Sequence, residues 1–145
     1  METDMKYCVP ELRMKFQAIR KRAKDKGIEI VVVCTARSEA EQKALYAQGR
    51  QSVLFVNDLR HIAGLGPLRE TQNKNKVTWT LDSKHIIGSK RELSEAVDFA
   101  IMKNGKIDWY DDMSYKTVAD IAVELGLTAG YYFKTKDSGH LEIKG

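Results

Sequence analysis

Leu12, Phe16, Ile19 and Ala23 follow one another at four, three and four positions, with Pro10 ahead of them and Gly27 behind. That spacing lines one face of a helix, proline suiting a first turn and glycine a stop. Residues 28–34 are then an almost unbroken β-branched run, too short for a second helix and patterned as a strand covered on both faces. It reads as the central strand. Ser38 and Glu41 form a Ser-x-x-Glu capping box, which predicts a second helix running to Gln48 and stopping at Gly49. Phe55, Val56, Leu59, Ile62 and Ala63 repeat the helical spacing up to Gly64, and this third helix is expected to serve packing.

Further along, residues 69–76 are polar and unpatterned, a loop, and residues 77–81 return to strand-like types. Residues 96–102 and 107–110 flank Lys103, Asn104, Gly105 and Lys106, and Asn-Gly between apolar runs marks a β-hairpin. Val118, Ile121, Ala122 and Leu125 predict a last helix with Ser114 as cap and Gly126 as stop. Two final strands are expected at 131–134 and 140–144, joined by a loop holding Asp137, Ser138 and Gly139. No repeat or linker interrupts the pattern, so the expected fold is α+β, a small antiparallel sheet packed with helices in a single domain over 1–145.

The composition agrees with a folded chain: 145 residues, 43% apolar and 30% charged, with 24 Lys and Arg against 20 Asp and Glu for a formal charge of +4. A chain of this length buries enough surface to fold without staples. No apolar run approaches a membrane span and the first residues are too polar for a secretory signal, so synthesis in the cytoplasm without membrane insertion is expected. Cys8 and Cys34 make no framework or Cys-x-x-Cys pair and read as buried thiols. The positive charge is ordinary for a domain with no anionic partner. If it has a use, it favours approach to nucleic acid or a bacterial envelope.

Three segments carry candidate chemistry: residues 83–88, 96–99 and 137–140, the first and last with a histidine each. Imidazole and carboxylate are the usual protein ligands of a hydrolytic zinc ion, which keeps three of them plus a water. His85, Asp98 and His140 would fill that set. Alternation along 96–102 puts Val97, Phe99 and Ile101 on one face and Ala96, Asp98 and Ala100 on the other, leaving room beside Asp98. Asp137, three residues before His140, is placed to take a proton from a bound water. The alternative is structural: His140 packed at a strand start, Asp137 in plain turn chemistry, and His61 as a packing residue of its helix.

The sequence resembles the zinc peptidase family that contains D-alanyl-D-alanine carboxypeptidases and phage endolysins cleaving L-alanyl-D-glutamate bonds. The family pattern Ser-x-His-x-x-Gly-x-Ala-x-Asp is echoed by Ser83, His85, Gly88, Ala96 and Asp98, and its acid-x-x-His motif by Asp137, His140, Leu141 and Glu142. An upstream Arg followed by Glu-Gln-x-x-Leu-Tyr-x-x-Gly-Arg is matched by Arg37, Glu41, Gln42, Leu45, Tyr46, Gly49 and Arg50. One departure stands out: seven residues, 89–95, separate the Gly from the Ala where the family has one. They are expected to bulge outward, with Ser89 and Glu92 starting a helical turn. Glu92 and Glu95 are substitute carboxylates should Asp98 be displaced. Tyr131 and Tyr132 stand where family members often have a Trp.

The resemblance implies a fold of the Hedgehog and D-Ala-D-Ala-peptidase type and a single zinc ion on His85, Asp98 and His140. It further implies Asp137 as general base and Arg37 as the group that stabilises an oxyanion or holds a substrate carboxylate. Ser83, Gln42 and Tyr46 become substrate-binding candidates, against a place on the solvent face for Gln42 and helix packing for Tyr46. The implied activity is endopeptidase cleavage of the murein stem peptide at L-Ala-D-Glu during phage-induced lysis. Its partner is peptidoglycan, acting as a monomer from the host cytoplasm into the periplasm once the membrane is permeabilised. Terminal D-Ala-D-Ala carboxypeptidase activity is the alternative within the family. Outside it stand a non-catalytic zinc-containing relative and a basic nucleic-acid-binding module, the latter without a recognition motif beside Lys21, Arg22, Lys24 and Lys26.

Overall fold

A computed structural model describes residues 1–145. Its packing divides the chain into two compact units, Arg37–Glu92 with Met1, and Glu2–Ala36 with Leu93–Gly145. The first is helical and the second is built on a sheet, so that the whole is α+β. No helix is long and apolar enough to cross a membrane.

In the sheet unit, α1 (Pro10–Asp25) starts on a proline and buries Leu12, Phe16, Ile19 and Ala23, the residues of its apolar stripe. Strand β1 (Glu29–Cys34) follows, then β2 (Ala96–Lys103), β3 (Lys106–Asp108), α4 (Asp112–Glu124), β4 (Leu127–Ala129) and β5 (His140–Ile143). The order β1-β2-β5-β4 is antiparallel throughout, with β3 also paired to β2. The central strand is therefore β2. The β-branched run of β1 lies at the edge, where Val33 stays exposed, because its length and composition describe a strand without saying how many neighbours it finds. A bulge between Val32 and Cys34 marks where that edge departs from β2.

Alternation along β2 divides the unit's two faces. Val97, Phe99 and Ile101 join Leu141 of β5 in a core closed by α1 and by Tyr115, Val118, Ala119, Ile121 and Ala122 of α4. Full burial of a side chain such as Leu12 or Phe16 stabilises by about 1.5–3 kcal/mol. Asp98 faces the other way, with Ala96 and Ala100. The turn joining β2 to β3 has Asn104 at φ 52° and Gly105 at φ 75°, the paired left-handed residues of a type I′ hairpin. The thiols of Cys8 and Cys34 are buried and unoxidised, and burial first, then Cys34, pushes the Cys8 thiol up to about 12.

Two expectations in this unit are corrected, and a third in the segment where the chain passes from the helical unit into it. The cap of α4 is Asp111, whose carboxylate accepts from the Ser114 N–H, so Ser114 lies inside the first turn. The strand expected at 131–134 lies earlier, at Leu127–Ala129, and Tyr131 falls in a 3-10 turn whose apolar residues pack without sheet pairing. Residues 89–95 contain no helical turn. Ser89, Lys90 and Glu92 are exposed, but Ser94 is fully buried, its N–H donating to Tyr7 O at 2.7 Å and its carbonyl accepting from Val9 N at 2.9 Å.

In the helical unit, α2 (Glu39–Ala47) carries the expected capping box of Ser38 and Glu41. Burial raises the Glu41 carboxyl, but the N-terminal ammonium and the Ser38 N–H outweigh it and hold its pKa below the usual value. Helix α3 (Val53–Ile62) forms as its periodicity predicts, yet it buries only Val56 and leaves Leu54 78% and Ile62 74% exposed. Residues 77–81 form no strand, since no other strand in their unit offers a ladder.

Candidate metal centre and its surroundings

The register of β2 against β5 sets Asp98 directly opposite His140 and Ala96 opposite Glu142. Side chains of paired residues share a face, so Asp98, His140 and Glu142 stand together on the face turned away from the core. His140 Nδ1 lies 3.0 Å from Asp98 Oδ1 and 3.9 Å from Asp137 Oδ2, and its Nε2 lies 2.8 Å from Glu142 Oε1.

The turn before β5 supplies Asp137. Its N–H donates to Gly130 O at 2.8 Å and its carbonyl accepts from the His140 N–H at 3.2 Å. Two glycines permit this approach. A Cβ on Gly130 would meet Asp137 O at 2.4 Å, and one on Gly139 would meet Phe99 O at 2.2 Å. The Asp137 side chain is 58% exposed and that of His140 only 10%. That contrast suits a proton-transferring carboxylate beside a fixed ligand.

Asp98, Asp137 and His140 each offer a ligand atom within 4.8 Å of the others. The imidazole nitrogen of His140 and the carboxylate of Asp98 are donors suited to zinc, and the exposed carboxylate of Asp137 stands beside them. Ligands about 2.0–2.1 Å from a tetrahedral ion lie roughly 3.3–3.4 Å apart, and His140 Nδ1 and Asp98 Oδ1, 3.0 Å apart, stand close to that spacing. The residues fit the group. Beside Asp98 and Asp137 a hollow of about 250 Å³ is lined by Val33, Phe99, Trp109, Tyr115, Ser138 and Gly139. Sequence reasoning missed Trp109, whose one signal was an aromatic residue just past a hairpin.

The other predicted residues belong to the helical unit. His85 is buried, and its backbone carbonyl accepts from Arg37 N at 2.9 Å, while Arg37 O accepts from Ile87 N at 2.9 Å. Ser83 is buried and its hydroxyl accepts from the His85 N–H at 3.2 Å, which ties the first and third residues of the motif together. The Arg91 guanidinium donates to the carbonyls of Ser83 and Ile86 at 3.0 and 3.1 Å and braces the same turn.

Gln42 is buried rather than on the solvent face. Its Oε1 accepts from Arg37 Nη1 at 3.2 Å, and its Nε2 donates to Thr80 O at 2.7 Å and Thr78 Oγ1 at 3.2 Å. Tyr46 is half-buried beneath the Arg50 guanidinium, 3.9 Å from its ring centre. It lines a groove of about 630 Å³ with Arg50, Phe55, Leu59, Leu81 and Ile86. His61 is exposed on α3.

Comparison with known proteins gives a consistent result. The chain is 30% identical to the peptidoglycan L-alanyl-D-glutamate endopeptidase CwlK of Bacillus subtilis over 152 aligned positions, which cover 92% of this chain and 72% of that protein. No model of a protein family matches it. Among solved structures, the Serratia marcescens L-Ala D-Glu endopeptidase ChiX superposes with a TM-score of 0.60 at 19% identity, over 97% of this chain and 83% of the other. The LdcB LD-carboxypeptidase gives a TM-score of 0.56 at 17% identity, over 100% of this chain and 64% of the other. These likenesses show the fold. The CwlK match, with the three motifs in the family's order, shows that the chain belongs to the zinc peptidase family of D-Ala-D-Ala carboxypeptidases and L-alanyl-D-glutamate endopeptidases.

Proposed function

We propose that the protein is a zinc-dependent peptidoglycan endopeptidase that hydrolyses the L-alanyl-D-glutamate bond of the murein stem peptide. The observation that carries this reading is the Asp98, Asp137 and His140 cluster on the outer face of the sheet, in a chain 30% identical to an enzyme named for that activity. Asp98 and His140 are two of the zinc ligands. His85 is the third, and its membership rests on the family motif.

When bound, zinc supplies a Lewis acid for the scissile carbonyl and a water of lowered pKa. Asp137, the exposed carboxylate of the cluster, takes the proton of the attacking water and passes it to the leaving amine. Arg37 stabilises the developing oxyanion or holds a substrate carboxylate, since its guanidinium presents a fixed fork of donors and Gln42 holds one arm of it. Ser83, Gln42 and Tyr46 complete the substrate side of the proposal.

The biological setting we propose is phage-induced lysis. The protein is made in the host cytoplasm and reaches periplasmic peptidoglycan, as a monomer, after the membrane is permeabilised. This part rests on the likeness of the Glu41-Gln42 to Gly49-Arg50 segment to the endolysin branch.

Purified muropeptides incubated with the protein, with chelator, and with chelator followed by zinc test the activity by mass spectrometry. The expected product is a peptide with a free D-Glu amino terminus, abolished by chelation and restored by zinc. Loss of a single terminal D-Ala would move the enzyme to the carboxypeptidase branch, and no cleavage would overturn the peptidase reading.

A further inference from the structure

The His140 ring stands between carboxylates on both of its nitrogens, and only one side belongs to the candidate zinc cluster. Nδ1 faces Asp98 and Asp137, while Nε2 faces Glu142 Oε1 at 2.8 Å. A neutral imidazole has one N–H and one lone pair, and a metal takes the lone pair. For Nδ1 to serve as the ligand atom, the proton must sit on Nε2, where Glu142 is the acceptor. We propose that Glu142 is the positioning residue that fixes the tautomer and orientation of His140, so that Nδ1 is presented to zinc. The proposal rests on the metallopeptidase reading above.

The backbone explains why Glu142 can do this. Residues 140 and 142 share a face of β5, and Glu142 lies opposite Ala96, whose methyl leaves the carboxylate room to turn toward the ring. The Glu142 side chain is only 19% exposed, which limits competition from water for the Nε2 proton. His140 is confined at its other end too. A Cβ on Gly130 would come 2.8 Å from His140 Cβ, and the Phe133 ring lies tilted at 5.7 Å between centroids. A ring held at its root and at Nε2 has one orientation, and carboxylates in this second position typically alter metal affinity by about 10–100-fold when removed.

Zinc affinity is the direct readout, measured on the full chain by competition with a chromophoric chelator for wild type, Glu142→Ala, Glu142→Gln and His140→Ala. Glu142→Ala should bind zinc about 10–100-fold more weakly. Glu142→Gln keeps an oxygen that accepts from Nε2–H and should recover most of the loss. Activity of Glu142→Ala should return as zinc is raised, which a general structural lesion would not allow. Long-range ¹⁵N spectra of zinc-loaded wild type should show His140 protonated at Nε2, and this arm needs no variant to fold.

Protonation at Nδ1, or wild-type zinc affinity in Glu142→Ala while His140→Ala loses the metal, would overturn the role of Glu142 and leave the metallopeptidase reading standing. A wild-type protein that takes up no zinc would overturn both.

Discussion

Asp98 and Gln42 are both polar residues drawn into their units, but they are held by different means. Asp98 is placed by strand pairing. The ladder of β2 and β5 sets it opposite His140, and the Phe99 N–H bonds to Gly139 O at 2.8 Å to lock the neighbouring turn. Gln42 is placed by its own amide, which reaches a threonine hydroxyl and the Thr80 carbonyl in a stretch without regular structure and accepts from Arg37. The cluster of the sheet unit thus inherits the rigidity of backbone hydrogen bonds, whereas the helical unit orders its coil through single side chains. Apolar burial follows the same division. The sheet unit buries the stripe of α1 and all of that of α4 except the half-buried Leu125, whereas α3 of the helical unit leaves Leu54 and Ile62 in solvent.

Substitutions sharpen this contrast, beginning with the largest effect. His140→Ala should abolish zinc binding and muropeptide cleavage together, and an inactive variant that retained stoichiometric zinc would contradict its place as a ligand. Asp137→Ala should keep zinc and fold but lose roughly 10²-fold or more in kcat, the range for removing a general base. Near-normal turnover would remove Asp137 from the mechanism.

Gly139→Ala tests whether the backbone sets the site. The added methyl would stand 2.2 Å from Phe99 O, so the β2–β5 junction must shift, at a cost of about 2–4 kcal/mol in urea unfolding. Gln42→Ala should cost less, about 1–3 kcal/mol, by leaving polar groups without their amide partner. Its signature is local. Hydrogen exchange should rise in residues 76–82 while the β2 amides stay protected, and a uniform loss across both units would erase the distinction.

The smallest effect at neutral pH concerns Cys8. Burial raises this thiol from 9.0 to about 12, so the folded form keeps its proton where the unfolded form loses it. The stability this adds is fully present below about pH 9 and is lost as pH rises toward 12, because the unfolded state binds fewer protons in that window. Cys8→Ala should flatten the alkaline fall in denaturation midpoint without steepening it at pH 7.

Much of this architecture was legible one element at a time. Leu12 to Ala23, the Ser38 and Glu41 capping box and the Asn104-Gly105 turn form as their patterns predict, since each depends on contacts within a few residues. Errors arose where a neighbour decides. The run at 28–34 was expected at the centre and lies at the edge, and 77–81 has strand composition but no strand to pair with. The site divides similarly. His140 and Asp137 were readable from a short motif, but the Glu142 contact to Nε2 and the Trp109 wall beside Asp98 needed the fold.

By itself, the sequence determined the helices, the hairpin, the two faces of β2 and the identity of the candidate ligands, because side-chain periodicity and turn chemistry act over a few residues. Tertiary structure decided which strand is central, that Asp98 meets His140 across a ladder joining residues 42 positions apart, and which ring nitrogen faces which carboxylate. Those outcomes depend on strand register and close packing. Both are set by the burial of a shared core and by the room left at Gly130 and Gly139.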